Sequence, residues 1–124
     1  MSCVFCDIID NKKDIIVENE LSVAFYDSFP VSDGHTLIIP KRHIETYFDL
    51  TKEEIASMFE LSNKVKALLE EKYHPDGYNV GFNVGVVGGQ SVMHCHMHVI
   101  PRYKGDQENP RGGIRKVVKN KTNY

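Results

Sequence analysis

The chain has no tryptophan and only three cysteines among its 124 residues. An odd, sparse cysteine set is no secreted disulfide framework, so a reducing cytoplasm is the expected setting. No apolar run approaches the ~18 residues of a membrane helix, and the first residues carry no signal-peptide apolar stretch. No membrane partner is expected. Repeats, linkers and low-complexity segments are also absent, so one domain over residues 1–124 is expected. Apolar residues make up 41% and charged residues 26% of the chain, ordinary values for a globular protein with a real core.

The net charge of −2 hides an asymmetry. Residues 1–101 carry a balance of −7 and residues 102–124 a balance of +5. The acidic body and the lack of a nucleic-acid motif argue against nucleic acid as a partner. Two readings of the basic tail stay open. It is a solvated segment, or Arg102, Lys104, Arg111 or Arg115 fold back over an anionic substrate.

Val4, Phe5, Ile8 and Ile9 share a helical face, which predicts a short helix over residues 4–11. Residues 15–18 and 21–26 read as strands around an Asn19-Glu20 turn, and His35 to Pro40 as a third. Thr51-x-x-Glu54 is a capping box opening one long helix that ends near His74-Pro75. From Tyr78 to Val86 a fourth strand alternates Val80, Phe82, Val84 and Val86 with Asn79, Gly81, Asn83 and Gly85. A strand face without side chains lets something approach its backbone closely, whether a ligand or a packed helix. A polar loop, residues 87–91, leads to the last strand. This order predicts an α+β fold with a mainly antiparallel five-stranded sheet, one long helix and one short helix.

The chemistry concentrates in His94-Cys95-His96-Met97-His98. On a strand the three imidazoles would share one face. The outer two Cα atoms would lie roughly 13 Å apart, too far to share one small ion. Two could share one as a His-x-His pair, leaving the third for other work; three roles are expected over one, with acid–base or nucleophilic work among them. Asn83, Gly89, Gln90 and Ser91 stand just before this run. Glycines free backbone N–H groups for phosphate oxygens, and Gln90 and Ser91 add neutral donors.

The stretch Gly88-Gly89-Gln90-Ser91-Val92-x-His94-x-His96-x-His98-Val99-Ile100 resembles the signature of the histidine triad (HIT) superfamily of nucleotide hydrolases and transferases. Residues 34–43, Gly34-His35-Thr36-Leu37-Ile38-Ile39-Pro40-Lys41-Arg42-His43, match its second recurring segment, and Phe25-Tyr26-Asp27 fits the strand before it. The resemblance spans residues 3 to 103. It implies that His96 is the nucleophile, its other nitrogen fixed by a backbone carbonyl near His94. It implies that His98 contacts the phosphate, with Ser91 and Gln90 near the bridging oxygen or leaving group. Asn83 and Gly89 would frame the phosphate, and Asp27 would accept the ribose hydroxyls. Phe5, Ile8 and Phe25 would wall the purine, adenine being the expected base, although plain core is the alternative for all three. His35 would support the triad from behind. The resemblance also implies a homodimer.

Cys3-x-x-Cys6, with His43 and His94, makes a two-thiolate, two-imidazole set suited to tetrahedral zinc. Related uridylyltransferases carry a similar arrangement, whereas many eukaryotic phosphoramidases of the superfamily lack the cysteines. Such a zinc would be structural, because four protein ligands leave no open position. Idle thiols are the alternative. A thioredoxin-like role is disfavoured because no strand precedes the pair. Three functional classes follow. The first is a hydrolase or nucleotidyltransferase attacking the α-phosphorus of a dinucleoside polyphosphate or nucleoside phosphoramidate. The second is a nucleotide-binding adaptor or sensor with little turnover. The third is a zinc enzyme using His-x-His as ligands.

Overall fold

The computed structural model of the protein describes residues 2–119, so the last five positions of the 102–124 tail lie outside the described residues. Helix α1 (Val4–Asn11) is followed by strands β1 (Ile15–Glu18), β2 (Ser22–Tyr26) and β3 (Thr36–Pro40). Helix α2 (Lys52–Tyr73) then leads to strands β4 (Gly77–Phe82) and β5 (Met97–Arg102). All five strands form one sheet in the order β1-β2-β3-β5-β4. Every neighbouring pair is antiparallel.

The capping box forms as expected. The Thr51 side chain accepts the Glu54 N–H, and the Glu54 carboxylate accepts the Thr51 N–H. Arg42 closes a two-pronged pair on the same carboxylate at 2.8 and 3.0 Å, tying the loop after β3 to the helix start. From there Met58, Leu61, Val65 and Leu69 recur at helical spacing and bury fully against Ala24, Ile38, Met97 and Val99 on one sheet face. Phe59 and Leu68, from the same apolar stripe, stay exposed.

The opposite face carries α1 and the site. One cross-strand row, Ile15–Phe25–Leu37–His98–Gly81, runs over all five strands. Its α1 end is apolar, where Phe5, Val23, Phe25, Leu37 and Ile39 form a second core cluster. Its other end opens at His98 and the side-chain-free Gly81.

Two strand expectations need correction. The fourth strand ends at Phe82, not Val86. Gly85 takes φ +77°, and the chain folds back so that a Cβ on Gly88 would lie 2.3 Å from the Val84 oxygen. That approach makes a loop and ends the ladder. The fifth strand begins only at Met97, so His94 and His96 precede it. The Cys95 N–H is taken instead by the Ile44 carbonyl at 2.7 Å.

The tail is not a solvated segment from its first residue. Arg102 is gripped by Asp106 at 2.7 and 2.8 Å and by the Asn79 side chain at 2.7 Å. A 3-10 turn, Gly113–Val117, then lies over β4, with Ile114 in van der Waals reach of Gly81 and Gly113 closing on Asn79. A short helical turn of the chain itself therefore approaches the stripped strand face at Asn79 and Gly81.

Candidate functional site

The three histidines hold three different positions. His94 is fully buried. Its Nε2 lies 2.9 Å from the Pro40 carbonyl, to which it donates, so its Nδ1 presents a lone pair. Burial holds this imidazole below its usual range.

That lone pair faces a cluster built by two segments. Cys3 is the N-cap of α1 and Cys6 sits one turn on, which brings both thiols to the helix start. His43 comes from the loop after β3. The Cys3 Sγ is 3.4 Å from His94 Nδ1, and the Cys6 Sγ is 3.3 Å from His43 Nδ1 and 3.6 Å from His94 Nδ1. The two Nδ1 atoms are 3.2 Å apart. All four ligand atoms lie within 4.8 Å of one another. Tetrahedral donors at usual zinc–sulfur and zinc–nitrogen lengths stand roughly 3.3–3.8 Å apart. The spacing fits a zinc ion. So does the hydrogen bond from the far nitrogen of His94 to a carbonyl, the usual support of a metal-bound imidazole. Burial, then the hydrogen bond and charge of Cys3, push the Cys6 thiol up to about 11, so without a cation this site keeps it protonated.

His96 is buried against the edge of Phe5, with ring centroids 5.1 Å apart. Its Nδ1 lies 2.8 Å from the His94 carbonyl oxygen. A carbonyl only accepts, so Nδ1 carries a hydrogen, and in the neutral ring Nε2 holds the lone pair. His98 stands beside it, ring centroids 5.1 Å apart. The His98 Nδ1 is 3.0 Å from His35 Nε2, and Asp27 Oδ2 is 3.5 Å from that same Nε2. Burial, then the neighbouring His96 and His35, push His98 down to about 4, against a smaller opposing effect of Asp27. Its Nε2 is buried and has no hydrogen-bond partner among the described residues.

The loop after β4 brings Asn83 against Gly89, whose φ is +95°. Gln90 departs from the expected role. Its amide donates to the carbonyls of Glu45 at 2.7 Å and Val92 at 3.0 Å, and its oxygen accepts the Gly85 N–H. Both amide hydrogens are spent, so Gln90 pins the loop and has none left for a substrate. Ser91 follows it, exposed. Phe5 and Phe25 are buried edge to face, centroids 5.4 Å apart, and Ile8 lies partly buried at the margin of that cluster. A cavity of about 620 Å³ opens instead on the other side of His98. It is lined by Asn83, His35, His98 and Arg102, and by Ile114 and Lys116 of the tail. Of the four tail cations considered from sequence, Arg102 is the one on that wall. Lys104 is exposed, its N–H given to Asp76. Sequence reading missed Val31, whose main-chain N–H donates to His35 Nδ1 at 3.1 Å. No side-chain signal marks a backbone donor.

The HIT domain family model matches residues 9–105. "Protein hit" of Bacillus subtilis is 43% identical over 108 residues, 85% of this chain and 74% of that protein. A Schizosaccharomyces pombe protein named adenosine 5'-monophosphoramidase hnt1 is 41% identical, over 82% of this chain and 75% of its own. A Dictyostelium discoideum protein named bis(5'-adenosyl)-triphosphatase is 38% identical, over 79% and 66%. Among solved structures, a zinc-bound histidine triad family protein from Mycobacterium smegmatis superposes with a TM-score of 0.79 at 37% identity, covering 88% of this chain and 81% of its own.

Proposed function

The chain belongs to the HIT domain family, and on that premise we propose that it is a nucleotide hydrolase or nucleotidyltransferase. Its substrates would be phosphoanhydride or phosphoramidate conjugates, the classes named for two of its relatives. The observation that carries this reading is the 2.8 Å contact between His96 Nδ1 and the His94 carbonyl. A neutral imidazole so held presents an unprotonated nucleophile without needing a separate base.

In this reaction His96 Nε2 attacks the α-phosphorus. The bond to the leaving group breaks and its electron pair departs with that group. Water then attacks the nucleotidyl phosphorus and loses a proton, which balances the one taken up by the departed group. The phosphorus–nitrogen bond breaks with its electron pair returning to His96 Nε2, and a nucleoside monophosphate leaves. Asp27 accepts the ribose hydroxyls, Asn83 and Gly89 frame the phosphate, and Ser91 lies near the bridging oxygen or leaving group. His98 contacts the phosphoryl group. Gln90 acts through the loop it pins.

Cys3, Cys6, His43 and His94 would hold zinc. A bound ion with four protein ligands supplies folding energy and no catalytic water. A zinc enzyme built on His-x-His is disfavoured, because His94 Nδ1 faces the cysteines while His96 Nδ1 is engaged by a carbonyl. The chain is further proposed to form a homodimer. In its support, β4 lies at a sheet edge with Val80 half-exposed, and α2 leaves Phe59 and Leu68 outward.

A substrate panel tests the reading. Wild type should cleave a dinucleoside polyphosphate or an adenosine phosphoramidate, and His96→Ala should bind nucleotide without turnover. Binding with no turnover by the wild type on every conjugate would point to a nucleotide-binding adaptor instead.

A further inference from the structure

Cys3 and Cys6 face each other across one helical turn, and the phosphoryl chemistry of His96 makes no use of their sulfurs. Cys3 caps α1, its carbonyl accepting the Asp7 N–H at 3.0 Å and its Sγ the Cys6 N–H at 3.4 Å. Residues three apart on an α-helix have Cα atoms roughly 5 Å apart. That lies inside the span a disulfide bridges, about 4.4–6.8 Å. Both sulfurs already approach one atom, His94 Nδ1, at 3.4 and 3.6 Å. The pair can therefore close by side-chain rotation while the helix is kept. Cys95 is buried and lies outside this cluster.

The cluster has an open side. Cys3 and Cys6 are each partly exposed, and His43, 3.3 Å from the Cys6 Sγ, is exposed. A small oxidant in solution can reach Cys6 beside the His43 ring. Zinc ligation would hold both sulfurs as thiolates, their nucleophilic form.

The pair also touches the histidine site. Phe5 lies on the turn between the two cysteines, and its ring packs on His94 and His96 with centroids 5.9 and 5.1 Å apart. The His94 carbonyl holds the His96 ring at 2.8 Å. Closing the pair would withdraw two of four metal ligands, release the His94 ring and shift the turn that bears Phe5.

We propose that Cys3 and Cys6 are a hydroperoxide-sensitive pair, whose closure to a disulfide ejects the ion and turns the neighbouring histidine site down. With hydrogen peroxide, the Cys6 thiolate attacks one peroxide oxygen. The O–O bond breaks and hydroxide leaves with the electron pair, which makes Cys6 a sulfenic acid. The Cys3 thiolate then attacks the Cys6 sulfur, the S–O bond breaks, and a second hydroxide leaves. The two sulfurs are oxidised by two electrons in all and one peroxide is reduced. The two charges of the freed zinc ion balance the two hydroxides. A dithiol reductant reverses the closure, and a transient disulfide of this kind suits a reducing setting. The inference rests on the zinc occupancy proposed above, and its effect on rate rests on the proposed hydrolase.

Titrating the zinc-loaded full chain with hydrogen peroxide, beside a chromogenic chelator, tests this. About one zinc per chain should be released, in step with loss of the mass of two hydrogens. Peptide mapping should join Cys3 to Cys6 and leave Cys95 a free thiol. Turnover of an adenosine phosphoramidate should fall several-fold, and a dithiol with added zinc should restore metal, mass and rate. Cys3→Ala should stop at a Cys6 sulfenic acid that dimedone traps. If that variant does not fold, the wild-type mass and map decide. Thiols untouched by peroxide that oxidises free cysteine would overturn the proposal. So would sulfonic acids with no disulfide, a linkage between two chains, or full turnover by the closed, metal-free chain. A chain purified without zinc that still closes the pair would overturn the ejection together with the zinc reading. A zinc-loaded chain that never closes would overturn the pair alone. Closure and ejection in a chain inert on every nucleotide conjugate would leave the pair standing and defeat the proposed function.

Discussion

The His94 carbonyl holds His96 Nδ1 at 2.8 Å while the His94 ring turns its own Nδ1 to Cys3 and Cys6. One residue thus joins the thiol cluster to the candidate nucleophile. Its ring anchors the turn before β5 and its main chain sets the His96 tautomer.

Purified protein should carry about one zinc per chain by elemental analysis. Cys3→Ser with Cys6→Ser should remove it and lower the melting temperature by several degrees or more. Because His94 belongs to both sites, turnover should fall as well. Metal-free protein prepared without chelator would contradict this. After chelation a maleimide should label Cys3 and spare Cys95, which lies buried and whose thiol burial pushes up to about 12.

Asp27→Ala should raise KM more than it lowers kcat. The Asp27 Oδ1 accepts the Phe29 N–H at 2.9 Å, which leaves Oδ2 for a ribose hydroxyl. A charged hydrogen bond is worth roughly 1.5–3 kcal/mol, or about tenfold to a hundredfold in affinity. Equal use of ribose and 2′,3′-dideoxyribose substrates by the wild type would remove Asp27 from this role.

Acid should destabilise the fold through His98. Its folded value, about 4, lies below the ordinary 6.5, so the unfolded chain binds more protons between those values. The fold is unpenalised above pH 6.5, and stability falls as pH drops toward 4. Denaturant titrations of wild type and His98→Gln across that window should show the steeper loss in the wild type. Parallel slopes would contradict the assignment.

Light scattering at micromolar concentration should give about 28 kDa, twice the 14.1 kDa chain. Val80→Asp at the exposed sheet edge should shift the mass toward that of the single chain. A wild-type mass near that of one chain would reject the dimer.

Much of this was legible in the sequence because its signals are local. The Thr51–Glu54 box and the short helix over residues 4–11 each lie within a few turns of chain, and each forms as read. What stayed hidden depends on distant or main-chain partners. Gln90 reaches a carbonyl 45 positions away, and His35 takes its hydrogen bond from the Val31 backbone. The early end of β4 turns on how closely Gly88 approaches the Val84 oxygen, which alternation of side chains does not encode. The Arg102–Asp106 pair was hidden because the charge balance of a tail does not say which cation meets which carboxylate.

The central claim is that His96 is a covalent nucleophile, and rapid-quench mass spectrometry under single turnover tests it most directly. With an adenosine phosphoramidate or a diadenosine polyphosphate, the quenched chain should gain the mass of one adenylyl group. Peptide mapping should place that group on His96, and His96→Gly should show neither the adduct nor turnover. No adduct in the wild type, together with near-normal turnover by His96→Gly, would contradict the account.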